Sequence, residues 1–240
     1  MVSGHMFVKA LISTTAALYM LVGSLMSASG SVETTPQTSP EGVAVQPGTS
    51  VVSIVAGGFG PVEGHLCVGV QYGTKVLTVA HCITNENPER GYVVYMGNEI
   101  VGAVKTFTVH PNWSPLDIDS VDLVVLEIAG EVPSGNILGT PTFKEGNYLL
   151  DGTGRAIAVT ELKDRNFDCI EGSDWTFDDS CWESPAEFPV CKGLSGSPVY
   201  DAQSHTIKGL VSWGKKGCVS EARWGAQRLD VHAKWLEENL

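Results

Sequence analysis

A serine lies between two glycines in Cys191-Lys192-Gly193-Leu194-Ser195-Gly196-Ser197-Pro198-Val199, after a cysteine and before a proline and an apolar run. A turn of this composition leaves a hydroxyl exposed, with backbone N–H groups free to converge beside it. That suits a nucleophile attacking a carbonyl, because paired N–H groups can hold the oxyanion that develops. Glycine supplies the close approach and unusual dihedral angles of such a turn. Gly-x-Ser-x-Ser also occurs in ordinary polar turns, so Ser195 acquires meaning only through partners. His81 is the candidate base. It ends the β-branched run Leu77-Thr78-Val79-Ala80 and is followed by Cys82. A general base must be held in one orientation, and a strand end pinned by a disulfide does this. A lone histidine is more commonly a satisfied core or surface residue. Asp122 is the candidate carboxylate, opening the apolar strand Leu123-Val124-Val125-Leu126-Glu127-Ile128. Burying it is costly without a partner, and an imidazole N–H is a fitting one. Asp117 and Asp119 lie in a Pro/Ser loop and read as solvated.

The elements that must position these groups are short. Runs rich in β-formers, separated by Gly, Pro, Asn and Asp, occur at 51–55, 75–79, 92–96, 101–109, 123–128, 155–162, 196–200 and 207–213. Strands at this spacing predict a barrel or sandwich. The final residues read as a helix with Val231, Trp235 and Leu236 on one face, capping the second half of the chain. Before the strands, an apolar run from Ala10 to Met26 ends in Ser27-Ala28-Ser29-Gly30, the pattern of a secretory signal. An uncleaved membrane anchor is the alternative, as the run is just short of spanning length. Residues 31–50, rich in Ser, Thr, Pro and Gly, read as a flexible leader or propeptide. The net charge of −12 argues against nucleic acid or anionic lipid as partner. Export turns the six cysteines into a disulfide question and leaves their connectivity open.

In combination these residues resemble the chymotrypsin/trypsin-like serine peptidase family, over essentially everything from Val51 onward. The order His81, Asp122, Ser195 is the order that family uses. His110-Pro111-Asn112-Trp113 is similar to its segment leading to the aspartate, and Val211-Ser212-Trp213-Gly214 to its substrate-binding strand. The resemblance implies an all-β fold of two six-stranded antiparallel barrels with a C-terminal helix. It divides the chain into a signal peptide (1–30), the leader (31–50) and a peptidase domain (51–240). Within that domain barrel one spans about 51–129, barrel two about 140–228 and the helix about 229–240. It also implies the disulfides Cys67–Cys82, Cys169–Cys181 and Cys191–Cys218, each typically worth about 2–4 kcal/mol. The implied reaction is peptide-bond hydrolysis by a secreted enzyme through an acyl-enzyme. Gly193 and Ser195 N–H groups form the oxyanion hole. No cofactor or metal is implied; the acidic loop of Glu171, Asp174, Asp178 and Asp179 matches no calcium motif. The partners are protein or peptide substrates and protein inhibitors, with no membrane once the signal is removed.

The departures are equally specific. Digestive members carry an aspartate before the serine, which accepts a new N-terminal ammonium; this chain has Leu194. It also has no Ile-Val-Gly-Gly-like start, and no Lys or Arg between Lys9 and Lys75. The site is therefore expected to form without N-terminal insertion. Pro189 stands at the pocket floor in place of the aspartate that selects Arg and Lys. Val190 beside it, with an uncharged Gly225 opposite, predicts an apolar or small residue before the scissile bond. Lys192, Lys215 and Lys216 rim the cleft, either favouring acidic residues near the scissile bond or standing as solvated cations. A homologue that binds a partner through the same surface is the alternative function. Such homologues usually lose a triad member, and here all three are present.

Overall fold

The computed structural model describes residues 37–39, 41–46, 48–84, 91–115, 117, 120–129, 145–162, 169, 179–214 and 223–240. The signal segment lies outside them. The first barrel comprises β3 (Ser50–Ala56), β4 (His65–Tyr72), β5 (Lys75–Thr78), β6 (Tyr92–Met96), β7 (Glu99–Val109) and β8 (Val124–Ala129). It closes antiparallel in the order β3-β4-β5-β8-β7-β6. β3 is apolar on both faces and buried along nearly its whole length. β7 alternates less strictly and leaves Ile100 and Phe107 exposed.

The second barrel comprises β9 (Asn147–Leu150), β10 (Ala156–Glu161), β11 (Asp179–Glu183), β12 (Pro198–Asp201), β13 (Thr206–Gly214) and β14 (Arg223–Arg228). Its order is β13-β12-β9-β10-β11-β14, closed by pairing of β13 with β14. The predicted pair of six-stranded barrels is thus the observed fold. β4, β9, β11 and β14 are absent from the runs picked out above. The sequences of β11 (DSCWE) and β14 (RWGAQR) carry charges that mask their pattern, and they form because each pairs on both sides.

Two differences concern the ends. The leader expected to be flexible over 31–50 carries regular structure at its described residues, 37–39, 41–46 and 48–50. There β1 (Thr38–Ser39) pairs with β2 (Gly42–Ala44), and β2 continues the sheet at the start of β13. Val43 is fully buried and Val45 N–H donates to His205 C=O at 2.9 Å. The edge of β13 would otherwise present unpaired backbone groups. At the other end, a 3₁₀ turn over Asp230–His232 precedes α2 (Ala233–Asn239). The tighter turn shifts the helical phase, so His232 faces inward and Val231 is exposed, contrary to the predicted face. Leu236 is buried as expected. The helix also reaches barrel one, since Lys75 Nζ donates to Asn239 C=O and Trp235 packs edge-on against His110.

The disulfides Cys67–Cys82 and Cys169–Cys181 are formed. Cys191 is also disulfide-bonded; its expected partner Cys218 lies outside the described residues.

Candidate active site

Strand register brings the first two candidates together. β5 and β8 pair antiparallel with Thr78 opposite Val124. The residues following Thr78 therefore lie beside those preceding Val124. His81 opens the short helix α1 (His81–Thr84), and its backbone N–H donates to Asp122 Oδ1 at 2.9 Å. Its ring Nδ1 meets Asp122 Oδ2 at 2.7 Å, and Ser212 O–H donates to the same oxygen at 2.6 Å. Three donors thus converge on one carboxylate that is only 5% exposed. Behind it, Asp122 N–H donates to Gln227 Oε1 at 2.8 Å. The Gln227 amide in turn faces His232 Nε2 at 3.2 Å, and His232 packs edge-on against His110. The carboxylate is fixed from both barrels. Asp117 takes no part in this clamp, and Asp119 lies outside the described residues.

Ser195 sits in two successive tight turns. Leu194 N–H donates to Cys191 C=O and Ser197 N–H to Leu194 C=O, both at 3.0 Å. Gly193 and Gly196 occupy the third position of these turns with φ of 99° and 81°. A positive φ there marks a type II turn. The turns dock on barrel one through Val68 N–H to Ser195 C=O at 2.8 Å. They dock on barrel two through Gly196 N–H to Val211 C=O at 2.7 Å. Val68 follows Cys67, which is bonded to Cys82, the neighbour of His81. Ser195 is thus anchored to the strand that is covalently tied to the histidine. Among the described residues no hydrogen bond yet joins Ser195 Oγ to the His81 ring. Catalytic hydrogen bonds often close only in the substrate complex.

The backbone donors of the turn divide cleanly. Leu194, Gly196 and Ser197 N–H groups are all bonded, whereas Gly193 and Ser195 N–H groups have no acceptor among the described residues. An alanine Cβ at Gly196 would stand 2.0 Å from Val68 C=O oxygen and 2.4 Å from Thr78 Oγ1. With its positive φ as well, Gly196→Ala should destabilise the protein by well over ~1 kcal/mol. Urea titration of purified protein checks this; an unchanged midpoint would contradict the docking just described.

The predicted substrate-contacting residues are only partly brought together. Pro189 and Val190 are half-buried, and Val190 packs against the second core cluster; Lys192 is exposed. Trp213 N–H of the indole donates to Asp179 Oδ2 at 3.0 Å, which gives that carboxylate a structural use. Gly225 does not face Val190. It lies under the Trp213 indole, where a Cβ would stand 2.0 Å from Cε2. Successive strand residues point to opposite faces, so the residue facing the Val190 side is Trp224. Gly214 pairs with Trp224, and a Cβ on Gly214 would stand 3.5 Å from Val190 C=O oxygen and 3.8 Å from Trp224 Cβ. Trp224 is fully buried and stacks on the fully buried Trp182, their ring centroids 6.1 Å apart. Neighbouring positions 224 and 225 thus lie on opposite faces of β14, since the side-chain period is two. Lys215, Lys216, Glu171, Asp174 and Asp178 lie outside the described residues.

Cys67, His81 and Cys82 also cluster, with potential ligand atoms within 4.8 Å of one another. Both sulfurs are joined in the disulfide, so no thiolate is available to a metal.

The Trypsin family model matches residues 34–236. Among solved structures, kallikrein-related peptidase 10 superposes with a TM-score of 0.60 at 21% identity, covering 85% of this chain and 97% of that one. HL collagenase superposes with a TM-score of 0.57 at 17% identity, covering 85% and 96%. At these identities the likeness is one of fold. The family match extends across both barrels and the turn that carries Ser195, and the chain belongs to the trypsin family of serine peptidases.

Proposed function

We propose that the protein is a secreted serine endopeptidase in which Ser195, His81 and Asp122 act as nucleophile, base and orienting carboxylate. The observation that carries this reading is the clamp on His81. One carboxylate takes both its ring N–H and its backbone N–H, which leaves Nε2 as the ring atom free to accept a proton. Ser195 Oγ attacks the scissile carbonyl and passes its proton to Nε2. The tetrahedral oxyanion is held by the unengaged N–H groups of Gly193 and Ser195. Collapse breaks the C–N bond, His81 returns the proton to the departing amine, and water repeats the sequence on the acyl-enzyme.

Activation by N-terminal insertion has no role in this reading. Leu194 offers no charge to an ammonium, and a buried unpaired carboxylate in its place would be destabilising. The segment before barrel one is tied instead to the outer end of β13. Intact-mass analysis of the active secreted form is expected to give a terminus upstream of β1. Activity that appears only after cleavage inside the barrels would sink the point. For specificity, the Trp224–Trp182 pair fills the space behind Val190 and Gly214, which favours a small residue before the scissile bond.

A fluorophosphonate probe tests the reaction class directly. Ser195 Oγ displaces fluoride from phosphorus, forming an O–P bond as the P–F bond breaks. Wild-type protein is expected to label to near one equivalent, and Ser195→Ala not at all. Folded wild-type protein that stays unlabelled would favour a binding homologue.

A further inference from the structure

We infer that His65 is a positioning residue for the oxyanion-stabilising turn, a role that rests on the acyl-transfer reading above. His65 opens β4, two residues before the disulfide-bonded Cys67. Its Nε2 lies 2.7 Å from Gly193 C=O. A carbonyl oxygen only accepts, so Nε2 carries the proton and donates. Three residues further along the same strand, Val68 N–H donates to Ser195 C=O at 2.8 Å. One strand therefore grips both residues whose N–H groups are unengaged, each by the carbonyl of the same residue. The grip at Ser195 is a backbone contact and survives any side-chain change. The grip at Gly193 depends on a single imidazole.

The other contacts of the turn do not replace it. Leu194 N–H to Cys191 C=O ties the turn to its disulfide-bonded first residue and leaves the Gly193 carbonyl unengaged. Gly196 N–H to Val211 C=O and Ser197 N–H to Leu194 C=O hold the half that follows Ser195. Leu194 has no charged group through which to tie the turn down. Among the described residues, His65 is thus the side chain that hydrogen-bonds the Gly193–Leu194 peptide, and with the Val68 contact to Ser195 it sets the spacing of the two N–H groups. An oxyanion hole works only while its donors stay where the developing charge will be. The ring also packs against Gly193, since a Cβ there would stand 3.2 Å from His65 Cδ2.

The test compares His65→Phe, which keeps a ring and loses the donor, with His65→Gln, which keeps a donor at similar reach. The substrate is acetyl-alanine p-nitrophenyl ester, and the rate of fluorophosphonate inactivation is followed in parallel. His65→Phe is expected to lower kcat and the inactivation rate roughly 10- to 100-fold, short of the ~10²–10³ for deleting a hole donor outright. KM should change less than about threefold, because the ground-state carbonyl needs the hole little. His65→Gln should recover most of the loss. Should the Phe variant fail to fold, His65→Glu against His65→Gln repeats the contrast, acceptor against donor at one shape. Donor-less variants within twofold of wild type, or a Gln variant no better than its donor-less counterpart, would overturn the proposal. If wild-type protein itself neither labels nor turns over the ester, the acyl-transfer reading fails and not this one alone.

Discussion

Asp122→Asn is expected to lower kcat by roughly 10⁴-fold while the protein stays folded, a loss of the size associated with forcing the wrong histidine tautomer. The geometry says why the substitution cannot be absorbed. An asparagine side chain offers one acceptor oxygen and one donor NH₂ where the carboxylate offered two acceptors. With NH₂ at the Oδ1 position, it would face His81 backbone N–H, which is a donor and cannot become anything else. With NH₂ at the Oδ2 position, it would face His81 Nδ1 and Ser212 Oγ. Both can switch role: the hydroxyl rotates to accept, and the imidazole moves its proton to Nε2. The second arrangement satisfies every group, so it wins. It also leaves Nε2 protonated and unable to take the proton of Ser195. Kinetics on a peptide substrate measure the loss, and a thermal melt shows that it is not unfolding. A fall of less than about tenfold would mean that Asp122 does not set the tautomer. Adding Ser212→Ala to Asp122→Asn should change little further, since residues acting as a unit are not additive in their removal.

How much of this was legible in the sequence depends on whether a residue's role is local. Ser195 and its glycines, His81 before Cys82 and Asp122 at the mouth of an apolar strand carry their signals in their immediate neighbours. The register Thr78 opposite Val124 then joins the last two without further instruction. His65 carries no such signal. Its importance arises from a contact across 128 residues of chain, to a carbonyl that every residue possesses. Gln227 is equally mute, and it reaches Asp122 only because β14 closes the second barrel. The strands that were missed fail for a related reason. Arg223 and Arg228 at the ends of β14 obscure a run whose Trp224 and Ala226 are wholly buried. Pairing on both sides overrides weak intrinsic preference there. The structure at residues 37–39, 41–46 and 48–50 is likewise a tertiary effect: Val43 is buried where β2 pairs with β13, and Thr49 and Ser50 are buried where the chain enters β3.

Trp224 yields the largest expected change in selectivity. Wild-type enzyme should cleave after glycine, alanine or serine in a peptide library and discriminate against phenylalanine, leucine and arginine in that position. Trp224→Ala should raise kcat/KM for leucine or phenylalanine by roughly 10- to 100-fold. Burying such a side chain is worth ~1.5–3 kcal/mol, and each ~1.4 kcal/mol is a factor of ten. Activity after alanine should rise little, because a methyl group cannot fill the vacated space. The same vacancy carries a cost in the free enzyme. Trp182 loses the ring it stacks on, and a Trp→Ala change in a core typically costs ~3–5 kcal/mol. Trp224→Leu, which leaves a smaller void, keeps the experiment interpretable if the alanine variant unfolds; it should gain more for valine than for phenylalanine. A long side chain bound in the opened pocket refills the space beside Trp182, so saturating peptide ending in phenylalanine should raise the melting temperature of Trp224→Ala and leave that of wild type unmoved. Efficient wild-type cleavage after phenylalanine or arginine would show that the indole does not occupy the pocket. A folded Trp224→Ala enzyme with unaltered preferences would place specificity elsewhere, in contacts made beyond the residue before the scissile bond.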